Sequence, residues 1–235
     1  MPTTLVIPKH IGFILDGNRR FAKARAMMPW RGHEFGKEKV HEILDWCEEF
    51  GVKEVTLYTF SMQNFARPSR EVEKLMELIA ESFNELAVDP KVHERKMRVR
   101  AIGQIDLLPP KVREAIAKAA KATSHYRGRT LNICVAYGGK EEIFEAAKII
   151  AKKIAKKLMK VKDLTLEAFE SHLMLSGQPD LIIRTGGEYR TSNFLTWQSG
   201  YSEWFFVDKL LPEFEREDLI KVLKEFNRRE RRFGK

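Results

Sequence analysis

Behind an apolar, strand-like run, the segment Arg184-Thr185-Gly186-Gly187-Glu188-Tyr189-Arg190-Thr191-Ser192-Asn193 gathers two arginines, hydroxyls and a glycine pair. Guanidinium forks match phosphate oxygens, and glycines let a backbone approach such an anion closely. A purely structural turn has no need of this set. Three further polar stretches follow apolar runs in the same way: Asp16-Gly17-Asn18-Arg19-Arg20, Phe60-Ser61-Met62-Gln63-Asn64 and Tyr137-Gly138-Gly139. Open α/β sheets bind ligands outside the carboxyl ends of their strands. Such a sheet would bring these stretches to one rim, where together they could grip a diphosphate.

Each stretch has its own chemistry and its own plainer reading. Gly17 permits a bend, amides at a helix start favour phosphate, and Arg20 adds a bidentate clamp. Asp16 fits poorly beside a phosphate unless a cation lies between them, and Mg²⁺ held by one or two carboxylates plus substrate phosphates meets that need. The plain alternative is an Asp-Gly-Asn turn with stray arginines. His33, in Arg31-Gly32-His33 ahead of the second helix, suits a phosphate contact or a proton transfer near neutral pH; the alternative is a packing role, which is also the reading of His10. Ser61 and Asn64, with Arg67 and Pro68 just beyond, could orient a polar head group between the apolar walls Phe60 and Phe65. Glu203 lies amid Trp197, Tyr201, Trp204, Phe205 and Phe206. An acid in such surroundings needs a partner, and a cation or phosphate–metal unit would supply one. The tail carries Arg228, Arg229, Arg231 and Arg232 before Phe233-Gly234-Lys235, either an ordinary basic end or a turn aiming a guanidinium at an anion.

Apolar runs at 11–15, 54–60, 98–103, 130–137, 180–184 and 204–207 read as strands. Helical periodicity appears at 35–50 and 69–88, and further helices are expected at 110–126, 140–160, 166–175 and 215–229. Strands alternating with helices of this length imply βαβ units and a mostly parallel sheet. The 69–88 stripe holds Val72, Leu75, Met76, Ile79 and Phe83, broad enough both to pack and to line a cavity.

With 235 residues, 43% of them hydrophobic, the chain suits one domain spanning 1–235. A net charge of +9 favours anionic partners. Cys47 and Cys134 are isolated and apolar in setting, which argues against zinc and against a disulfide framework. No signal peptide and no apolar run of about 20 residues is seen, so a soluble cytoplasmic protein is expected. Lys152, Lys153, Lys156, Lys157, Lys160 and Lys162 alternate with Ile150, Ile154 and Leu158. They read as the solvated face of a helix, with peripheral contact to acidic lipid headgroups as the alternative. Neither a P-loop nor a Gly-x-Ser-x-Gly elbow is present.

Taken together, the motifs resemble the cis-prenyltransferases, the undecaprenyl or dehydrodolichyl diphosphate synthase family. The resemblance runs from His10 to Gly234 through Asp16-Gly17-Asn18-Arg19-Arg20-Phe21-Ala22, Gly32-His33, Phe60-Ser61 with Asn64, Tyr137-Gly138-Gly139, Arg184-Thr185-Gly186-Gly187-Glu188 and Ser192-Asn193-Phe194-Leu195 with Trp197-Gln198. The Asn-Arg-Arg-Phe form is closer to archaeal and eukaryotic members. The Asp-Asp-x-x-Asp box of the all-helical trans-prenyl synthases is missing.

This resemblance implies a homodimer with a six-stranded, mainly parallel sheet beside a hydrophobic tunnel. It also implies Mg²⁺-dependent condensation of isopentenyl diphosphate onto an allylic prenyl diphosphate. By motif match, Gly17, Asn18, Arg19, Arg20 and Arg67 would hold the allylic diphosphate. Arg184, Arg190 and Ser192 would bind isopentenyl diphosphate, with Arg232 and Gly234 reaching the partner's site. Asp16 and Glu203 would serve the metal, while His33, Ser61 and Asn64 organise the polar network. Thr59, Val72, Leu75, Met76, Ile79 and Phe83 would line the tunnel. The proton-abstracting base stays open between Asp16, Asn64 through water, and released pyrophosphate. Pro29, where many members have Arg, Gln63 in place of Glu, Phe65 in place of Trp, and Thr59 in place of a small residue depart from the pattern. Two other readings compete: a non-catalytic accessory subunit, disfavoured because Asp16, Arg20, Arg184 and Arg190 are all present, and a nucleic-acid-binding module, disfavoured because the aromatics lie within apolar runs.

Overall fold

The computed structural model describes residues 6–229, so Arg232 and Gly234 lie outside the described residues. In chain order the elements are β1 (His10–Ile14), α1 (Asn18–Ala24), α2 (Pro29–Glu49), β2 (Glu54–Ser61), α3 (Ser69–Leu86), α4 (Pro90–Glu94), β3 (Met97–Ile102) and α5 (Pro110–Thr123). There follow β4 (Arg129–Tyr137), α6 (Gly139–Ala155), α7 (Leu166–Glu170), β5 (Leu181–Arg184), β6 (Glu203–Phe206) and α8 (Arg216–Arg228). The strands form one six-stranded sheet in the order β3-β4-β2-β1-β5-β6. Every pairing is parallel.

The strand sequences explain their places. β1 is buried along its whole length, as a parallel strand covered on both faces must be. Alternate residues face opposite sides. Ile11, Phe13, Leu57, Leu131 and Ile133 join the larger core with apolar residues of α2, α3, α5 and α8. Ile14, Tyr58, Cys134 and Ile182 join a smaller one with Leu175, Phe194 and Leu195. The route from β1 moves first to β2 on one side, and later to β5 on the other. Between β1 and β5 lies the crevice where such sheets take ligands.

Several element boundaries differ from the sequence expectation, each for a local reason. α2 starts at Pro29 rather than 35, because proline suits the first helical position; His33 therefore sits inside the helix, not ahead of it. α6 stops at Ala155 rather than 160, and Lys157 takes a left-handed backbone with φ of 57° just past its end. Lys152 and Lys153 thus lie on the helix and the later lysines beyond it, all of them exposed. α7 ends at Glu170 rather than 175. Among the described residues no helix is long and apolar enough to cross a membrane.

Candidate active site

The carboxyl ends of β1 and β5 are tied together at the crevice. Thr185 Oγ1 donates to the Asp16 carbonyl at 2.7 Å and accepts from the Asp16 amide at 3.1 Å. Gly17 then turns the chain into α1 with φ of 110°, and a Cβ there would sit 2.8 Å from Leu210 Cα. Only glycine serves both demands. The turn holds Asp16 over the end of β5, where Arg184 Nη2 donates to Oδ2 at 2.7 Å and Arg20 Nη2 donates to Oδ1 at 3.1 Å. Arg184 Nη1 also donates to Ser192 Oγ at 2.7 Å and to the Arg190 carbonyl. Arg20 lies 3.5 Å from Glu188, which also pairs with Arg190.

On the other side of β1, β2 ends in a reciprocal cap: Asn64 Oδ1 accepts from the Ser61 amide at 2.9 Å, and the Ser61 side chain accepts from the Asn64 amide. This arrangement leaves the Asn64 NH₂ as its remaining donor. Arg67 follows, held at 3.2 Å by Glu71 of α3, which also takes Arg19 at 3.3 Å. A cavity of about 530 Å³ opens between these two banks. Asp16, His33, Ser61, Asn64, Arg67, Arg184, Arg190 and Ser192 all line it.

His33 reaches the cavity from α2. Asn18 Nδ2 lies 3.5 Å from the Leu15 carbonyl and 3.3 Å from His33 Nδ1. With Asn18 donating, Nδ1 is the acceptor and the ring proton belongs on Nε2. Burial first, then Arg67 and Arg19, lower the imidazole from its ordinary 6.5 to about 3. His33 is thus a neutral N–H donor and not the near-neutral proton carrier its residue type suggests. Its Nε2 and Arg184 Nε are buried without a hydrogen-bond partner among the described residues. Buried polar groups are normally satisfied, and an anion in this cavity would satisfy such donors.

A second, apolar cavity of about 120 Å³ abuts the first, and Leu15, His33 and Thr59 line both. The sequence-expected tunnel residues Thr59, Leu75, Ile79 and Phe83 are on its wall. Val72 and Met76 are not: both pack into the larger core, because a stripe at helical spacing spans more arc than one narrow channel touches. Strand residues Leu57, Leu131 and Ile133 complete the wall; their alternation was the available signal.

Other residues take unexpected places. Asn18 braces His33 and lines the apolar cavity. Arg19 and Arg20 stand at the edge through ion pairs with Glu71 and Asp16. Glu203 is not gathered with Asp16 in this chain. It opens β6 opposite Leu181, while the rim lies at Arg184 and Phe206; three parallel-strand residues separate it from the rim by roughly 10 Å. Its carboxylate accepts from Arg229 Nη1 at 2.8 Å. Glu71 escaped the sequence reading, and Asn193, named there within two motifs, was given no role of its own. Asn193 Oδ1 accepts from the Lys140 amide at 2.8 Å, and its own carbonyl accepts from the Gly139 amide at 2.8 Å. Tyr137-Gly138-Gly139 thereby anchors the Ser192 loop instead of facing the ligand cavity.

Burial opposes a charge on Asp16, yet Arg184 and Arg20 together hold its carboxyl below the ordinary carboxylate range. A carboxylate has about four acceptor sites, so two arginines do not saturate it. Among the described residues no three His, Cys, Asp or Glu side chains group as a metal cage. Mg²⁺ often keeps one or two carboxylates and takes the rest from water and substrate phosphates. Asp16, charged and on the cavity wall, fits that pattern.

Residues 14–234 match a prenyltransferase family described as "Putative undecaprenyl diphosphate synthase". The chain is 47% identical over 232 residues to the geranylgeranyl-diphosphate-specific tritrans,polycis-undecaprenyl-diphosphate synthase of Pyrococcus abyssi, covering 98% of this chain and 88% of that one. It is 45% identical over 235 residues to the isoprenyl transferase of Thermus thermophilus, covering 97% and 89%. Lavandulyl diphosphate synthase from Lavandula x intermedia, solved with dimethylallyl diphosphate, superposes with a TM-score of 0.91 at 34% identity over 97% of this chain and 99% of that one. A probable undecaprenyl diphosphate synthase from Campylobacter jejuni gives a TM-score of 0.79 at 31% identity, covering 97% and 99%. With a phosphate-suited cavity joined to an apolar one on the same sheet, this chain belongs to the undecaprenyl diphosphate synthase family of cis-prenyltransferases.

Proposed function

We propose that the chain condenses isopentenyl diphosphate repeatedly onto an allylic prenyl diphosphate to make a medium- or long-chain polyprenyl diphosphate. One observation carries this reading: the polar cavity and the apolar cavity share Leu15, His33 and Thr59, so a diphosphate head in one places its tail in the other. Each buried CH₂ contributes about 0.8 kcal/mol, which retains a growing chain without specific contacts. Geranylgeranyl diphosphate, named for the archaeal relatives, is the proposed primer.

In the reaction the allylic C–O bond breaks, its electrons leave with pyrophosphate, and the isopentenyl double bond forms the new C–C bond before a proton is lost. Arg67 and the His33 Nε2–H donate to the allylic head, Arg184, Arg190 and Ser192 to the isopentenyl head. The donors on the allylic head face the charge that grows on the departing pyrophosphate and so lower the barrier more than they stabilise the ground state, while those on the isopentenyl head bind and orient it. With Nδ1 accepting from Asn18 and the imidazole held well below its ordinary range, His33 is disfavoured as the base. Mg²⁺ shared between Asp16 and the diphosphates would neutralise the departing charge. Glu203 would serve a metal only through a second subunit. The open edge strand β6 and the exposed Tyr189 and Tyr201 support the homodimer that this requires. A cytoplasmic location, with or without peripheral lipid contact, is proposed from the sequence alone.

Incubation with Mg²⁺, labelled isopentenyl diphosphate and a panel of allylic diphosphates, followed by product sizing, tests the reading. Labelled chains longer than the primer support it; no incorporation with any primer refutes it.

A further inference from the structure

The apolar cavity is too small for the chain it would have to hold. At about 120 Å³ it falls below an engineered cavity of about 150 Å³ that accommodates one benzene. A polyprenyl tail needs many times that volume, so a wall must move. The sheet side, with Leu57, Leu131 and Ile133, is locked by the β2–β4 ladder. The opposite side is a seam between two helices, α2 and α3, closed by side chains alone.

Among the described residues Lys37 of α2 is the one lysine on the wall of this apolar cavity. Its Nζ donates to Glu85 Oε1 at 2.7 Å and lies 3.5 Å from Glu81 Oε2, both on α3. The lysine side chain is 20% exposed and the glutamates are 45% and 63% exposed. The lysine stem covers apolar surface while its charge crosses the seam. Outside runs a groove of about 920 Å³, on whose wall Glu81 and Glu85 stand. Leu75 and Leu78 line both the cavity and this groove, so a single layer of side chains separates them. A half-exposed ion pair is weak: strong enough to favour the closed seam, weak enough for accumulating apolar contact to part it.

We propose that Lys37, with Glu85 and Glu81, is a polar latch on the α2–α3 seam, and that its strength sets how far the cavity opens and hence the length of the polyprenyl product. The proposal rests on the prenyl-transfer reading above. Each condensation lengthens the tail that pushes on the seam, so a weaker latch allows more condensations before release.

The test sizes the products of wild type, Lys37→Met, Glu85→Gln, Lys37→Glu and the swap Lys37→Glu/Glu85→Lys, all under one ratio of substrates. The first condensation, measured with the shortest primer the wild type accepts, serves as control together with circular dichroism. Lys37→Met and Glu85→Gln are expected to shift products longer by one or more prenyl units, Lys37→Glu further, and the swap to return toward wild type, with the first condensation unchanged. Wild-type or shortened product lengths in folded Lys37→Met and Glu85→Gln overturn the latch. A wild-type enzyme that adds no prenyl unit to any primer overturns the prenyl-transfer reading instead.

Discussion

Replacing Arg184 by methionine removes one cation shared by three partners. Its guanidinium donates to the Asp16 carboxylate at 2.7 Å, to Ser192 Oγ at 2.7 Å and to the Arg190 carbonyl. The side chain is 3% exposed and Asp16 28%, so the charge left behind is poorly hydrated. Breaking a buried pair by removing one partner costs about 3–5 kcal/mol. Arg20 still pairs with Asp16, which places the loss near the low end. At about 2–4 °C per kcal/mol for a chain of this size, a loss of about 3 kcal/mol lowers Tm by about 6–12 °C. Losing a charge-assisted donor to the isopentenyl head, about 1.5–3 kcal/mol, costs a further factor of about 10–10² in turnover at subsaturating isopentenyl diphosphate. Thermal unfolding followed by circular dichroism, beside single-condensation turnover with labelled isopentenyl diphosphate, reads both. Asp16→Asn completes a double-mutant cycle with an expected coupling of about 0.5–3 kcal/mol. An unchanged Tm, a normal turnover or strict additivity would each refute the pairing of Asp16 with Arg184 as the site's centre.

Gly17→Ala strains a backbone held at φ of 110° and drives Cβ to 2.8 Å from Leu210 Cα, so melts should show a loss of about 1–3 kcal/mol. His33 binds fewer protons folded than unfolded between its ordinary 6.5 and about 3. Its contribution to stability is therefore complete above the upper value and lost as pH falls through that window; His33→Gln should flatten the corresponding slope in pH-dependent denaturation. Glu71→Gln frees Arg19 and Arg67, and should raise KM for the allylic substrate with little change in KM for isopentenyl diphosphate. Chelation of divalent ions should abolish turnover and added Mg²⁺ restore it; full activity after chelation would remove Asp16 from metal duty.

The sheet was legible because each strand announced itself. Runs such as Phe13–Leu15 and Ile133–Val135 are apolar on both faces and end in polar motifs, as parallel strands between helix layers must. The rim followed from that reading, since residues at or just past strand ends land near it: Asp16, Ser61 and Arg184 line one cavity, while Tyr137-Gly138-Gly139 does not. What sequence concealed were relations set by packing between elements. The start of α2 was hidden by Gly32 and Gly36, poor helix formers whose missing side chains make room for Asn18. That close approach is what carries His33 into the site from within a helix. Glu203 was expected beside Asp16 for the metal; strand direction places it at the other end of β6 within its own chain, where Arg229 pairs with it. Lys37 carries no motif in the sequence, and only the facing acids of α3 give it a role. Glu71, one acid among several in α3, likewise gains meaning only from the two arginines it collects.

The most direct measurement is a crystal structure with Mg²⁺ and a non-reactive allylic thiolodiphosphate. The expected result has the diphosphate between Asp16 and Arg67, within hydrogen-bond reach of His33 Nε2, and the hydrocarbon tail running past Thr59 along Leu57 and Phe83. A diphosphate bound away from Asp16, or a tail lying outside the channel between α2, α3 and the sheet, would contradict the joined polar and apolar cavities as the site of chain growth.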